Sequence, residues 1–169
     1  EWAARRPPGL PTLGHAAQPL LIVSGAHDRL CPRALQQRMA EHAKKRGLRG
    51  FEADWRDAYP GINAVTLMEM QETPDPRQAE LLPVVRYAVA RRMASGQPDY
   101  WDYATQLELA VLARDLIGAQ TALADALARR REPWEGETTA KNLQFIIDAR
   151  HPRGEDCGWM HALVAALRA

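Results

Sequence analysis

From residue 61 to the C-terminus, apolar residues recur at spacings of three and four in segment after segment. Each segment is apolar on one side only. Residues 62–70 show it in Ile62, Val65, Met68 or Glu69, and Met70. Residues 77–94 place Leu81, Val84, Val85, Ala88, Val89 and Met93 on one stripe, with Arg86, Arg91 and Arg92 mostly opposite. Residues 100–114 continue through Tyr100, Tyr103, Ala104, Leu107, Ala110 and Val111, and residues 117–130 through Ala119, Leu123, Ala126 and Leu127. Two last segments carry Leu143, Ile146 and Ile147, then Trp159, Leu163, Ala166 and Leu167. A one-sided helix must lay its stripe against a neighbour, so these six segments predict an all-α fold of packed helices with no sheet.

The spacing sharpens that expectation. First helices are predicted to start near Ile62, Tyr100 and Thr138, about 38 residues apart, and each is followed by a second helix near Arg77, Ile117 and Glu155. The period is close to the ~34 residues of tetratricopeptide helix-turn-helix units. Stacked antiparallel hairpins in a tetratricopeptide-like right-handed array are the expected architecture. Ala119, Leu123 and Ala126 alternate small and large in the second helix of the middle pair, as close packing of two helices requires, and Pro133 is expected to close that helix. Pro60 and Gly61 read as a turn ahead of the first helix.

The N-terminal part reads differently. Residues 1–19 carry four of the twelve prolines and no periodicity, and LLIVSG at residues 20–25 is the one strand candidate. Residues 1–32 are therefore expected to form an extended, irregular proline-rich arm with one short strand-like segment, and residues 33–169 the helical domain. Within the latter, RALQQRMAEHAKKR after Pro32 reads as a helix with Leu35, Met39 and His42 on one face, loosened at its end by Gly47 and Gly50. A chain opening on Glu1 is expected to be part of a longer protein.

Charge and composition narrow the function classes. With 22 basic and 21 acidic residues in 169, no overall charge drives the chain onto nucleic acid or an anionic membrane. Arg129, Arg130 and Arg131 read as a solvated helix end whose cations suit the C-terminal dipole. Cys31 and Cys157 lack the spacing of a zinc knuckle and suit a reducing compartment, so a cytoplasmic location is expected. No apolar run approaches the ~20 residues of a membrane span. The five tryptophans, Trp2, Trp55, Trp101, Trp134 and Trp159, are expected to be core anchors rather than a base-stacking platform.

Catalytic readings find little to build on. PLLIVSGAHDRLCP is similar to the late strand and acidic loop of α/β-hydrolases, with Asp28 as the acid that would orient a histidine. No G-x-S-x-G elbow presents a nucleophile. His151, Cys157 and His161 follow no common zinc spacing, and no phosphate-cradling glycine loop occurs. No cofactor and no metal are expected.

Three stretches, GFEADWRDAYPGINAVTLMEM, PVVRYAVARRMASGQPDYWDYATQLELAVLARD and REPWEGETTAKNLQFI, together resemble the MAP3K TRAFs-binding domain. The resemblance runs from about Leu48 to Leu167 and leaves residues 1–47 uncovered. It implies a tetratricopeptide-like helical domain, known from apoptosis signal-regulating kinases and from bacterial multidomain proteins, that regulates and binds partners without catalysis of its own. The expected partner is a protein or peptide, or another domain of the same full-length chain. In such an array the first helices line a concave face, which here gathers Asn63, Trp101, Thr105, Lys141, Asn142 and Phe145. Asn63 and Asn142 each sit in the early turns of a first helix, where a carboxamide either holds an extended peptide backbone or ties its own helix to the preceding turn.

Overall fold

The computed structural model describes residues 33–169, the side chains of 33–40, 42 and 43 excepted. The arm, the LLIVSG segment, Asp28, Trp2 and the Leu35–Met39–His42 face all lie outside the described residues. Seven α-helices follow one another: α1 (Arg33–Ala53), α2 (Ala58–Glu69), α3 (Arg77–Ser95), α4 (Tyr100–Leu112), α5 (Leu116–Leu127), α6 (Pro133–Arg150) and α7 (Gly158–Arg168). A short 3-10 turn, His151–Arg153, joins the last two. The described residues contain no strand, as the one-sided segments require.

Aspartates set most of the helix starts. Asp57 accepts from Tyr59 N–H at the head of α2, and Asp115 accepts from Gly118 N–H at the head of α5. At α4 the exchange is reciprocal: Asp99 accepts from the Trp101 and Asp102 amides, and Asp102 accepts from the Asp99 amide. Helix α6 opens on Pro133, and Glu135 in its first turn accepts from the Arg131 and Glu132 amides. Pro133 therefore starts a helix instead of closing one, and α6 begins a full turn before Thr138. Pro60 and Gly61 likewise lie inside the first turn of α2, where proline is tolerated because its missing N–H has no helical acceptor.

Helix α1 also departs from expectation. It runs unbroken through Gly47 and Gly50 to Ala53. A Cβ on Gly47 would lie 3.3 Å from Ala64 N and Pro60 O, and one on Gly50 would lie 3.1 Å from Pro60 Cβ. The two glycines are where α1 lies against the backbone of α2. They permit close packing at that contact, and α1 supplies the helix that precedes the first repeat.

Neighbouring helices pack as expected of hairpins, α4 along α5 and α6 along α7, with α1 along α2 and α3 between α2 and α4. One core runs from Phe51 and Ile62 through Val85, Leu107, Ala119 and Ile146 to Leu167. Ala119, Ala122 and Ala126 are all buried, which brings α5 close to α4. Val84 is a departure: it is 39% exposed, so the buried stripe of α3 is narrower than its apolar residues suggest. The first helices α2, α4 and α6 also touch one another, including α2 against α6. Nearest-neighbour stacking alone does not bring the first and third pairs together.

Candidate partner-binding face

The C-terminal ends of α2, α4 and α6 meet at a buried arginine. Arg150, 1% exposed, donates from Nε to Glu69 Oε1 at 2.8 Å and from its other nitrogens to the carbonyls of Val111 and Leu112 at 3.0 and 3.1 Å. Those carbonyls are in the last turn of α4, where a cation is favoured. Arg153 adds bonds to Glu69 Oε1 and to the carbonyls of Glu69 and Gln71, and Glu155 pairs with Arg114 and Arg153. Burial opposes ionisation of Glu69, yet the hydrogen bond and charge of Arg150 hold its carboxyl below the ordinary range. Arg114 takes its place from a left-handed residue, φ 60°, just beyond α4. This cluster is structural: every charge in it is satisfied internally.

Midway along the same helices, Asn142 on α6 donates from Nδ2 to Glu108 Oε1 on α4 at 2.6 Å. Both residues are more than nine-tenths buried. Burial pushes the Glu108 carboxyl up to about 7, against the lowering effect of the Asn142 bond. Among the described residues no lysine or arginine pairs with Glu108, and Asn142 Oδ1 has no partner. The carboxamide of Asn142 thus joins α6 to α4, and its donor is occupied within the fold.

Toward the N-terminal ends of α4 and α6 the surface is aromatic. Trp101 and Trp134 meet with ring centroids 5.7 Å apart, and Trp101 stands edge-on to Tyr100 at 5.1 Å. Tyr100 is buried and held from α6, its hydroxyl donating to Glu135 O at 3.0 Å and lying 2.8 Å from Thr139 Oγ1. Trp101 is half-buried, while Trp134 is 47% exposed. The expectation that the tryptophans are core anchors fails for Trp134 and for Trp55, 45% exposed, because each lies at the edge of its helix packing rather than beneath it.

The other candidates lie on α2, α4 and α6. Thr105, one turn after Trp101, is half-buried and donates to Trp101 O at 2.7 Å. Lys141 is exposed and, among the described residues, holds only a loose pair with Glu137, at 3.8 Å. Phe145, one turn further along α6, is half-buried, as is Asn63 on α2. Trp101, Thr105 and Glu108 fall on one side of α4, and Trp134, Lys141, Asn142 and Phe145 on one side of α6, by the helical repeat. Trp134 was missing from the sequence-based set, although Trp134 and Lys141 stand seven residues apart, a spacing that marks a shared helix face.

The remaining candidates stay apart. Cys157 is buried, His151 and His161 are exposed, and the described residues contain no group of three ligating side chains able to hold a metal ion. Arg130 does not end in solvent as expected of the arginine run: it donates to Leu167 O at 3.1 Å and ties α5 to the end of α7. Arg129 lies over the Tyr103 ring at 3.9 Å. No described helix is long and apolar enough to cross a membrane.

Comparison with curated proteins and with solved structures finds no match. The family comparison matches the MAP3K TRAFs-binding domain over residues 24–164, which includes α1 and so begins upstream of the Leu48 boundary read from the motifs. This is a non-catalytic interaction domain family, and its members imply a protein partner. With a match spanning most of its length and a wholly helical described fold, the chain belongs to the MAP3K TRAFs-binding domain family.

Proposed function

We propose that this domain is a non-catalytic regulatory module of a larger cytoplasmic signalling protein, and that it holds a protein segment or a neighbouring domain against the first-helix face of α4 and α6. The observation that carries the reading is the Trp101–Trp134 contact, which joins successive first helices and leaves one indole half exposed. Tryptophans of this kind are the usual anchors of protein interfaces, since a rigid ring buries much area at little conformational cost. Lys141 is free to exchange its long pair with Glu137 for a carboxylate of the bound segment. Asn63 adds a carboxamide that makes no hydrogen bond among the described residues. Glu108 and Asn142 contribute from beneath, by fixing the distance between the two helices.

Site-specific photo-crosslinking tests this. A crosslinking side chain installed at Lys141 of the full-length protein is expected to give one discrete adduct that Trp134→Ala abolishes. The same side chain at Ile117, 77% exposed on α5, is the control for accessibility alone. Equal adducts from both positions, or an adduct at Lys141 indifferent to Trp134, would remove the face from consideration.

A further inference from the structure

Among the described residues, hydrogen bonds tie α4 to α6 at three levels. The Tyr100 hydroxyl reaches Glu135 O and Thr139 Oγ1 near the start of both helices, and Arg150 holds the Val111 and Leu112 carbonyls at their far ends. The middle tie is the bond from Asn142 to Glu108. Thr105 precedes Glu108 by one turn, and Lys141 and Phe145 flank Asn142, so this tie lies at the level of the proposed partner face.

Burial leaves this pair one donor short. The Glu108 carboxyl is 7% exposed and receives a hydrogen bond from a neutral group, while Asn142 Oδ1 is buried with no donor among the described residues. An ionised carboxylate taken out of water without a cation costs more than one such bond returns. The charged groups around it are committed elsewhere. Arg92 of α3 pairs with Asp102, Arg129 of α5 lies over the Tyr103 ring, and Glu69 of α2 pairs with Arg150 of α6. Also on α6, Lys141 pairs with Glu137, and Glu135 accepts from the Arg131 and Glu132 amides. The Tyr59 phenol of α2 is pushed up by burial and by the charges of Asp57 and Glu108. The Tyr100 phenol is pushed up by burial and, against its bond to Thr139, by the charge of Glu108. Both phenols therefore stay neutral where a buried carboxyl titrates.

We propose that Glu108 is held as the neutral acid in a two-point pair with Asn142, accepting from Nδ2 and donating its own proton to Oδ1, and that release of this proton to solvent loosens the middle of the α4–α6 face and weakens its hold on a partner. The acid supplies the donor that Oδ1 lacks. Without the proton, one of the two bonds is lost, carboxylate oxygen faces carboxamide oxygen, and water must enter to solvate the charge. The Tyr100 and Arg150 ties do not change, because phenol and guanidinium keep their protons in that range. The change is thereby confined to the level of Thr105, Lys141 and Phe145. Burial holds the Glu108 carboxyl at about 7, against the lowering effect of the Asn142 bond, so the tie is made below that pH and loosened above it. The effect on a partner rests on the partner-face reading; the paired state of Glu108 does not.

NMR titration of the whole chain from pH 5.5 to pH 8 tests the pair without a partner. The Glu108 carboxyl carbon, the Asn142 side-chain amide and the Thr105 and Phe145 backbone amides are expected to move with one midpoint near 7. The side-chain amide of Gln78, a buried carboxamide on α3 bonded to Val65 O and Glu69, is expected to stay still. Glu108→Gln reproduces the neutral pair, its own amide donating to Oδ1, and is expected to hold the signals of Asn142, Thr105 and Phe145 at their low-pH positions throughout. In the full-length protein, the adduct formed from Lys141 is expected to fall about threefold between pH 6 and pH 8 and to stay level in Glu108→Gln. The proposal is overturned if the Glu108 carbon titrates as an exposed glutamate does, if the Asn142 amide does not share its midpoint, or if the adduct follows the same pH course in both proteins. An adduct absent at every pH overturns the partner face and its regulation together, while the NMR titration alone decides the pair.

Discussion

Arg150 and Glu69, 81 residues apart in the chain, form a buried ion pair that fastens the end of the third first helix to the end of the first. The carbonyls that Arg150 also holds belong to the middle one. One side chain therefore sets how the three hairpins are arranged at this end of the stack. Removing Arg150 leaves the buried Glu69 carboxylate to Arg153 and Arg114 as its remaining described cations and leaves the Val111 and Leu112 carbonyls without their donor. Arg150→Met is accordingly expected to destabilise the fold by roughly 3–5 kcal/mol, and the double variant Glu69→Leu, Arg150→Met by clearly less than the two single changes together. Urea denaturation followed by helical circular dichroism measures both. Because Glu69 is held below its ordinary pKa of 4.5, its contribution is complete above that pH and is lost as the pH falls through the folded-state value.

Glu108 has the opposite pH dependence. Its folded carboxyl titrates near 7, against 4.5 when unfolded, so it contributes fully below pH 4.5 and its contribution declines as the pH rises to about 7. Glu108→Gln keeps the shape and removes the charge. It is expected to flatten the stability profile between pH 5 and pH 7 and to raise stability at pH 8 by on the order of 2–3 kcal/mol. Asn142→Ala, which takes away the Nδ2 donor to that carboxylate, is expected to cost more at pH 8 than at pH 5. Equal profiles for wild type and Glu108→Gln would show that the carboxyl is not buried as described.

Gly136 allows α6 to approach the end of α7. A Cβ there would collide with the backbone oxygen of Leu167 and lie 3.1 Å from Arg130 Nη1. Backbone gives way less readily than a side-chain tip. Gly136→Ala is expected to lower stability by about 1–3 kcal/mol, whereas alanine's higher helix propensity alone would raise it by roughly 1 kcal/mol. The sign of the change in thermal midpoint decides between them.

The helices were legible because packing faces repeat at 3.6 residues, and Leu107, Leu143 and Leu163 fell where periodicity placed them. Val84 did not, since an apolar residue beside the stripe is indistinguishable from one on it until Tyr87 and Trp55 are seen to claim that side of α3. The start of α6 was expected near Thr138, whereas Pro133 and Glu135 open the helix. Glu69 sat at a stripe position of α2, and that misfit was the visible sign of the buried pair. Its partner Arg150 lies on a different repeat, beyond the reach of any local pattern. Asn142 was legible as unusual, but its use depended on Glu108, a residue of another helix.

On the proposed reading Trp134 serves a partner rather than the fold, and the unfolding free energy of Trp134→Ala, measured on the same protein used for crosslinking from Lys141, decides between the two roles. A half-exposed ring is expected to cost no more than about 1 kcal/mol on removal, with the adduct lost. A loss of ~3 kcal/mol or more, as for a buried aromatic, with the adduct retained, would make the tryptophan part of the core and remove it from the partner-binding face.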